Sequence, residues 1–70
     1  MNKRYLEAEM KRYGDTGSTL AEALGISEVT LSRKKNGESD FTRGEMAVIK
    51  NRYNLTAELV DVIFLTDQLS

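Results

Sequence analysis

Apolar residues recur along the chain at intervals of three and four, the period of an amphipathic helix. Leu6, Met10 and Tyr13, for example, fall on one face of the first such segment. We therefore predict an all-α fold, a compact five-helix bundle in which short connections join the helices. The five segments are about 2–13, 16–24, 27–35, 42–53 and 56–65.

Three of the predicted helices begin with the same arrangement of residues. An apolar residue precedes a Ser or Thr that can cap the helix, and a second apolar residue lies four positions after the cap. The three sets are Ile26, Ser27 and Leu31; Phe41, Thr42 and Met46; and Leu55, Thr56 and Val60. Thr42 and Glu45 also predict a capping box. Glycines at 14, 25 and 37 are expected to end the first three helices.

The aromatic residues Phe41, Tyr53 and Phe64 lie at core spacing and are interpreted as packing residues, not as platforms for stacked bases. Leu59, Val62 and Leu65 are candidates for an exposed face on the fifth helix. With 70 residues the chain has no room for a separate dimerisation domain. A homodimer would therefore form through this helix and the tail; the alternative is a monomer.

Composition excludes several kinds of chemistry. The chain has no cysteine and no histidine, so disulfides, thiolate nucleophiles, imidazole bases and the common zinc ligands are absent. No nucleophile is paired with a base, and we expect no enzyme activity, no catalytic residue, no metal and no cofactor. No apolar run approaches the roughly 18 residues that cross a bilayer. The N-terminus alternates charge, so we expect a cytoplasmic protein without a signal peptide or membrane partner.

Charge is unevenly distributed along the chain. The ten Lys and Arg and eleven Asp and Glu give a formal net charge of -1. Between positions 27 and 52, however, six basic residues face four acidic ones, a balance of +2. The segment 53–70 carries only the three acidic residues Glu58, Asp61 and Asp67. Any surface that binds a phosphate backbone is therefore expected in the middle of the chain.

The second and third predicted helices contain the spacing of a helix-turn-helix. Ala21 is small where two steeply crossing helices approach, Gly25 suits the turn, and Ile26 and Leu31 supply buried apolar contacts. We therefore predict that residues 1–70 form a single helix-turn-helix domain.

The stretch TGSTLAEALGISEVTLSRKKNG, residues 16–37, resembles the Cro and CI-type (XRE-like) repressor family. That family's pattern reads roughly T-Q-x-x-L-A-x-x-x-G-[IV]-S-x-x-x-[IL]-S-x-x-x-x-G. The later segments FTRGEM and LTAELVDVIF resemble the small phage Cro-like members. The resemblance implies a lambda repressor-like DNA-binding domain whose third helix enters the major groove of an operator.

Carried onto this chain, the resemblance makes Glu28, Val29 and Arg33 the expected base readers. Arg33 can donate two parallel hydrogen bonds to guanine, Glu28 can accept from cytosine N4, and Val29 can cover a thymine methyl. The resemblance places Ser27, Thr30 and Lys35 near phosphate, and Lys34 is a further candidate DNA-binding residue. The basic residues Arg43, Lys50 and Arg52 are candidates for flanking contacts with a DNA backbone, although a charged outer face is the more ordinary interpretation of Lys50 and Arg52. The basic cluster 33–35 also has a purely structural interpretation, as a solvated helix end. Cations at a helix C-terminus interact favourably with the helix dipole.

The chain departs from the family pattern at three positions. Gly17 and Glu28 replace common glutamines, and Lys34 stands at a usually apolar position, so either its stem covers the core with the ammonium outside or the third helix ends early. The leading hypothesis is an operator-binding transcriptional regulator, associated with the nucleoid of a bacterial host when bound. The alternative is an antirepressor that binds a partner phage repressor instead of double-stranded DNA.

Overall fold

A computed structural model of the chain describes residues 1–65. These residues form five α-helices and no strand, so the all-α prediction is confirmed. The observed helices are one residue shorter than predicted at most ends, because the predicted bounds included the capping residues. The helices are α1 (Lys3–Arg12), α2 (Gly17–Leu24), α3 (Glu28–Lys35), α4 (Arg43–Arg52) and α5 (Ala57–Phe64).

Side-chain caps define where the helices begin. The hydroxyls of Ser27, Thr42 and Thr56 accept the backbone N–H three residues later, as predicted. The Thr42 and Glu45 capping box is also present, with Glu45 Oε1 2.8 Å from the Thr42 nitrogen. A second capping box, in which Thr16 pairs with Thr19, was not predicted because Thr is not the usual partner at the third helical position.

The core is a single apolar cluster to which all five helices contribute. Its fully buried members include Leu6 in α1, Leu20 in α2, Leu31 in α3, Ile49 in α4 and Ile63 in α5. Phe41 and Phe64 meet edge to face with ring centroids 5.2 Å apart, a favourable geometry for aromatic quadrupoles. Their burial confirms their interpretation as packing residues.

Tyr13 was predicted to share one face of the first helix with Leu6 and Met10, but it does not share their burial. Its side chain is 47% exposed because Tyr13 lies just past the last residue of α1, where the chain turns away. The ring instead covers buried Tyr53, with centroids 5.3 Å apart.

The helices pack in a way that leaves α3 with one principal neighbour. α1 lies against α5, and the Asn2 nitrogen donates to the Ile63 carbonyl at 2.6 Å. α2 packs on α4 as well as α3, and α4 packs on α5, whereas α3 packs mainly on α2. None of the described helices is long and apolar enough to span a bilayer.

The proposed dimer face on α5 is only partly exposed. Leu65 is exposed, but Leu59 packs against the core and Val62 is half-buried. The tail expected to contribute to this face, residues 66–70, lies outside the described residues. A homodimer stays a prediction.

Candidate nucleic-acid interface

The connection between α2 and α3 is a tight turn closed by two backbone hydrogen bonds. Gly25 adopts a left-handed conformation with φ of 72°, which a residue with a Cβ atom adopts only at a cost. The Ile26 nitrogen donates to the Ala21 carbonyl at 3.0 Å, and the Gly25 nitrogen donates to the Glu22 carbonyl at 3.1 Å. This pair of bonds is a Schellman motif, and it fixes the direction in which the chain leaves α2.

Ser27 and Thr30 form a local network at the start of α3. Ser27 Oγ accepts from the Thr30 nitrogen at 3.1 Å and donates to Thr30 Oγ1 at 2.9 Å. Since its hydroxyl proton is not used within this network, Thr30 retains a donor that suits a phosphate oxygen. Ser27 and Thr30, two of the predicted phosphate neighbours, therefore lie at the N-terminal end of α3.

Val29 and Arg33 lie one turn apart on α3, four positions from one another, so they share a face of the helix. Val29 is 62% exposed, the highest fraction among the exposed large hydrophobic residues that the structure describes. Arg33 is also exposed, and its side chain makes no hydrogen bond or ion pair with any other described residue. This face therefore offers an apolar contact beside an unpaired planar cation.

Glu28 lies in the first turn of α3 but also close to the first turn of α2. A Cβ atom placed on Gly17 would lie 3.7 Å from Glu28 Oε1. The two departures from the family pattern are thus neighbours in space. A carboxylate at this point is favoured by the positive end of the α2 dipole, and it occupies a position where a phosphate would otherwise be attracted.

Lys34 is not a free cation. Its Nζ lies 2.7 Å from Glu45 Oε1 and 3.2 Å from the Asp40 carbonyl oxygen, and the two charged side chains are only 11% and 12% exposed. The ammonium also lies 5.9 Å from the centroid of the Phe41 ring. α3 extends to Lys35 and so does not end early. The Lys34 stem is buried as one alternative predicted, but its ammonium is held by Glu45 and the Asp40 carbonyl instead of lying outside.

Lys35 and the residue after it connect α3 to α1. Lys35 Nζ lies 3.2 Å from Glu7 Oε2, and Lys3 Nζ donates to Asn36 Oδ1 at 2.7 Å. Of the three basic residues that end α3, Arg33 alone is unpaired within the described range. The positive charge available to a phosphate backbone is smaller than the sequence suggests.

Three basic residues of α4 were candidates for flanking contacts. Arg43 and Lys50 are both exposed, and the Arg43 side chain has no partner among residues 1–65. Arg52 is different, because its Nε and a terminal nitrogen bind the two oxygens of Asp15 at 2.6 and 2.7 Å. Arg52 is therefore engaged in an ion pair within the fold and is not a free cation.

Asp15 is the centre of a partly buried polar cluster that sequence reasoning missed. Besides Arg52, it accepts hydrogen bonds from the Tyr53 hydroxyl at 2.6 Å and from Thr19 Oγ1 at 2.8 Å. The hydrogen bonds from Arg52, aided by those from Tyr53 and Thr19, hold the pKa of Asp15 well below its usual range despite burial. Burial and the bond to Asp15 raise the pKa of the Tyr53 hydroxyl.

Glu45 is a second ionisable group with a contact that the sequence did not predict, its ion pair with Lys34. Burial by itself would raise the pKa of Glu45, but hydrogen bonds from Lys34 and from the Thr42 backbone outweigh burial and lower that pKa. Glu45 therefore stays charged at neutral pH while it both caps α4 and binds a cation from α3. The sequence indicated only the capping function.

Comparison of the chain with protein-family models, with curated proteins and with solved structures finds no match. Within the described residues, no group of three or more acidic side chains is arranged to hold a metal ion. The candidate interface is therefore described from the geometry of this chain alone. It combines a capped helix on a rigid turn, an exposed apolar residue and one unpaired guanidinium.

Proposed function

We propose that the protein is a sequence-specific DNA-binding transcriptional regulator that inserts α3 into the major groove of an operator. The observation that carries this proposal is the exposed face of α3, where Val29 and the unpaired Arg33 lie one turn apart beside a capped N-terminus. An apolar side chain next to a free guanidinium matches a thymine methyl next to a guanine edge. The resemblance of residues 16–37 to the Cro and CI-type family supports the same assignment.

The contact set in this proposal is smaller than the sequence suggested. Val29 and Arg33 read bases, Glu28 borders the same groove, and Thr30 and Arg43 approach phosphates. Ser27 acts mainly as the cap that holds the first turn in place. Lys34 and Lys35 are engaged by Glu45 and Glu7 and are left out of the direct contacts.

A duplex selection tests the proposal. The protein is incubated with a random pool of DNA duplexes, bound molecules are enriched over several rounds, and affinity is measured for the enriched duplex and a scrambled one. We expect a defined motif and at least roughly a thousandfold preference for it. Arg33→Ala should reduce that preference by about ten- to a hundredfold at one base pair, whereas Lys50→Ala, the matched control on α4, should leave the motif unchanged.

One observation favours a second candidate, binding to a partner repressor. Internal pairing removes Lys34, Lys35 and Arg52 from the available positive charge of a chain that is already net negative. Glu28 adds an anion to the surface of α3, which suits the basic recognition surface of another DNA-binding protein. Absence of an enriched motif, together with a stoichiometric complex with a repressor encoded beside this protein, would replace the first proposal by this one.

A further inference from the structure

The C-terminal half of α3 is attached to the domain mainly by polar side chains. Within α3 only Leu31 is fully buried, and α3 packs mainly on α2. A helix anchored at one buried residue can tilt about that point, because nothing apolar fixes its far end. The last turn of α3 therefore needs a second attachment if its exposed face is to meet a base pair at a constant angle.

Lys34 attaches this turn to α4, in addition to the contacts of Lys35 and Asn36 with α1. It lies three positions after Leu31, on the same face of the helix, and its ammonium is held by Glu45 Oε1 at 2.7 Å and by the Asp40 carbonyl at 3.2 Å. Glu45 is itself fixed, since the same oxygen accepts the Thr42 nitrogen at 2.8 Å. The end of α3 is thus bound directly to the capped start of α4.

We infer that Lys34 is a positioning residue that fixes the angle of α3 through its ion pair with Glu45 and does not itself bind phosphate. This inference rests on the proposed DNA-binding function of α3. Moving the ammonium to a phosphate would leave the Glu45 carboxylate, which is only 12% exposed, without its cation in a poorly solvated place. That loss opposes any gain from the phosphate.

Two variants distinguish positioning from phosphate binding, because the two functions predict opposite effects at Glu45. If Lys34 positions α3, Lys34→Met and Glu45→Ala both lower the preference for the selected duplex over a scrambled one, by about three- to tenfold. The double variant is then no worse than either single one, and Lys34→Arg restores the preference. The slope of log affinity against log salt concentration is unchanged in Lys34→Met.

If Lys34 binds phosphate, Lys34→Met lowers the magnitude of that slope by about 0.9, and Glu45→Ala strengthens DNA binding by releasing the ammonium. Either result overturns the inference. Thr42→Ala is the matched control for Glu45→Ala, since it weakens the cap of α4 but leaves the Lys34 and Glu45 pair in place. A melting curve confirms that each variant is folded at the assay temperature.

Amide hydrogen exchange provides a readout that does not depend on DNA. The Asn36 nitrogen donates to the Ser32 carbonyl at 3.0 Å and the Glu38 nitrogen donates to the Arg33 carbonyl at 2.9 Å. Both amides should exchange faster in Lys34→Met and in Glu45→Ala, while the Leu20 amide of α2 is unchanged. Unchanged exchange at Asn36 and Glu38 overturns the inference, whereas faster exchange in a protein that shows no DNA preference removes only the proposed function.

Discussion

Replacing Asp15 by Asn is the substitution that most directly tests how the bundle is held together. All four groups around the carboxylate are donors, two from Arg52 and one each from Tyr53 and Thr19. Asparagine has the same shape but presents an NH2 group in place of one oxygen. Whichever oxygen is replaced, one Arg52 N–H then faces the NH2 group and one hydroxyl has to turn and accept from it, while the remaining two hydrogen bonds lose their charge.

The size of the effect follows from the number and type of those bonds. Hydrogen bonds to a charged group contribute about 1.5–3 kcal/mol each. Arg52 is 36% exposed and can be rehydrated, so the sum is discounted, and we expect Asp15→Asn to lower the free energy of unfolding by about 2–4 kcal/mol. A chain of this size has a total stability of about 4–10 kcal/mol. The melting temperature should therefore fall by at least about 8 °C.

Thermal and urea unfolding followed by circular dichroism measure this loss. Tyr53→Phe is the matched control, because it removes one donor and leaves the carboxylate with three, and it should cost about 1.5 kcal/mol. A loss below about 0.5 kcal/mol for Asp15→Asn, the size of an ordinary surface change, would refute the reasoning from this cluster.

The same cluster predicts a dependence of stability on pH. Because folding lowers the pKa of Asp15 from its ordinary value of 3.8, its contribution is complete above that pH and is lost as the pH falls below it. The stability difference between wild type and Asp15→Asn should therefore be largest near neutral pH and shrink below pH 3.8. A difference that stays constant down to about pH 2 would contradict this linkage.

Three further substitutions test the α2–α3 unit. Glu28→Gln removes an anion beside the start of α2 and should strengthen DNA binding by about three- to tenfold at low salt in an anisotropy titration; weaker binding would show that Glu28 contributes a favourable base contact. Ser27→Ala should lower the free energy of unfolding by about 1 kcal/mol through loss of the α3 cap, and urea unfolding in which Ser27→Ala matches wild type would contradict the capping contribution. Gly25→Ala should cost at least about 1 kcal/mol because of the left-handed backbone, although no atom would obstruct the added Cβ, and an unchanged urea midpoint would exclude that strain.

The helix boundaries could be predicted because the signals that set them are local. Ser27, Thr42 and Thr56 each bind a backbone N–H three residues away, and Gly25 closes α2 through its own backbone conformation. Such contacts depend on short stretches of sequence, so the pattern of caps and apolar residues contains them. The burial of the aromatic core residues could also be predicted, because their spacing follows the helical period.

The polar contacts could not be predicted because they join distant parts of the chain. Asp15 and Arg52 are 37 positions apart, and Lys34 and Glu45 are 11 apart. Nothing near Asp15 in the sequence indicates its partner, and the charge of Lys34 suggested exposure. These contacts change the candidate interface more than the fold, since they remove cations from the surface that was expected to bind phosphate. Among the basic residues of α3, Arg33 alone has a side chain without a partner in the described part of the chain.

The salt dependence of binding to the selected duplex tests the central claim most directly. Each phosphate that the protein neutralises adds about 0.9 to the magnitude of the slope of log affinity against log salt concentration. With Arg43 free to approach a phosphate, Arg33 assigned to a base edge and Lys34 held by Glu45, we predict a slope of about −1 to −2 for one copy of the chain. A flat response, with equal micromolar-or-weaker affinity for the selected and scrambled duplexes, would contradict DNA recognition by α3.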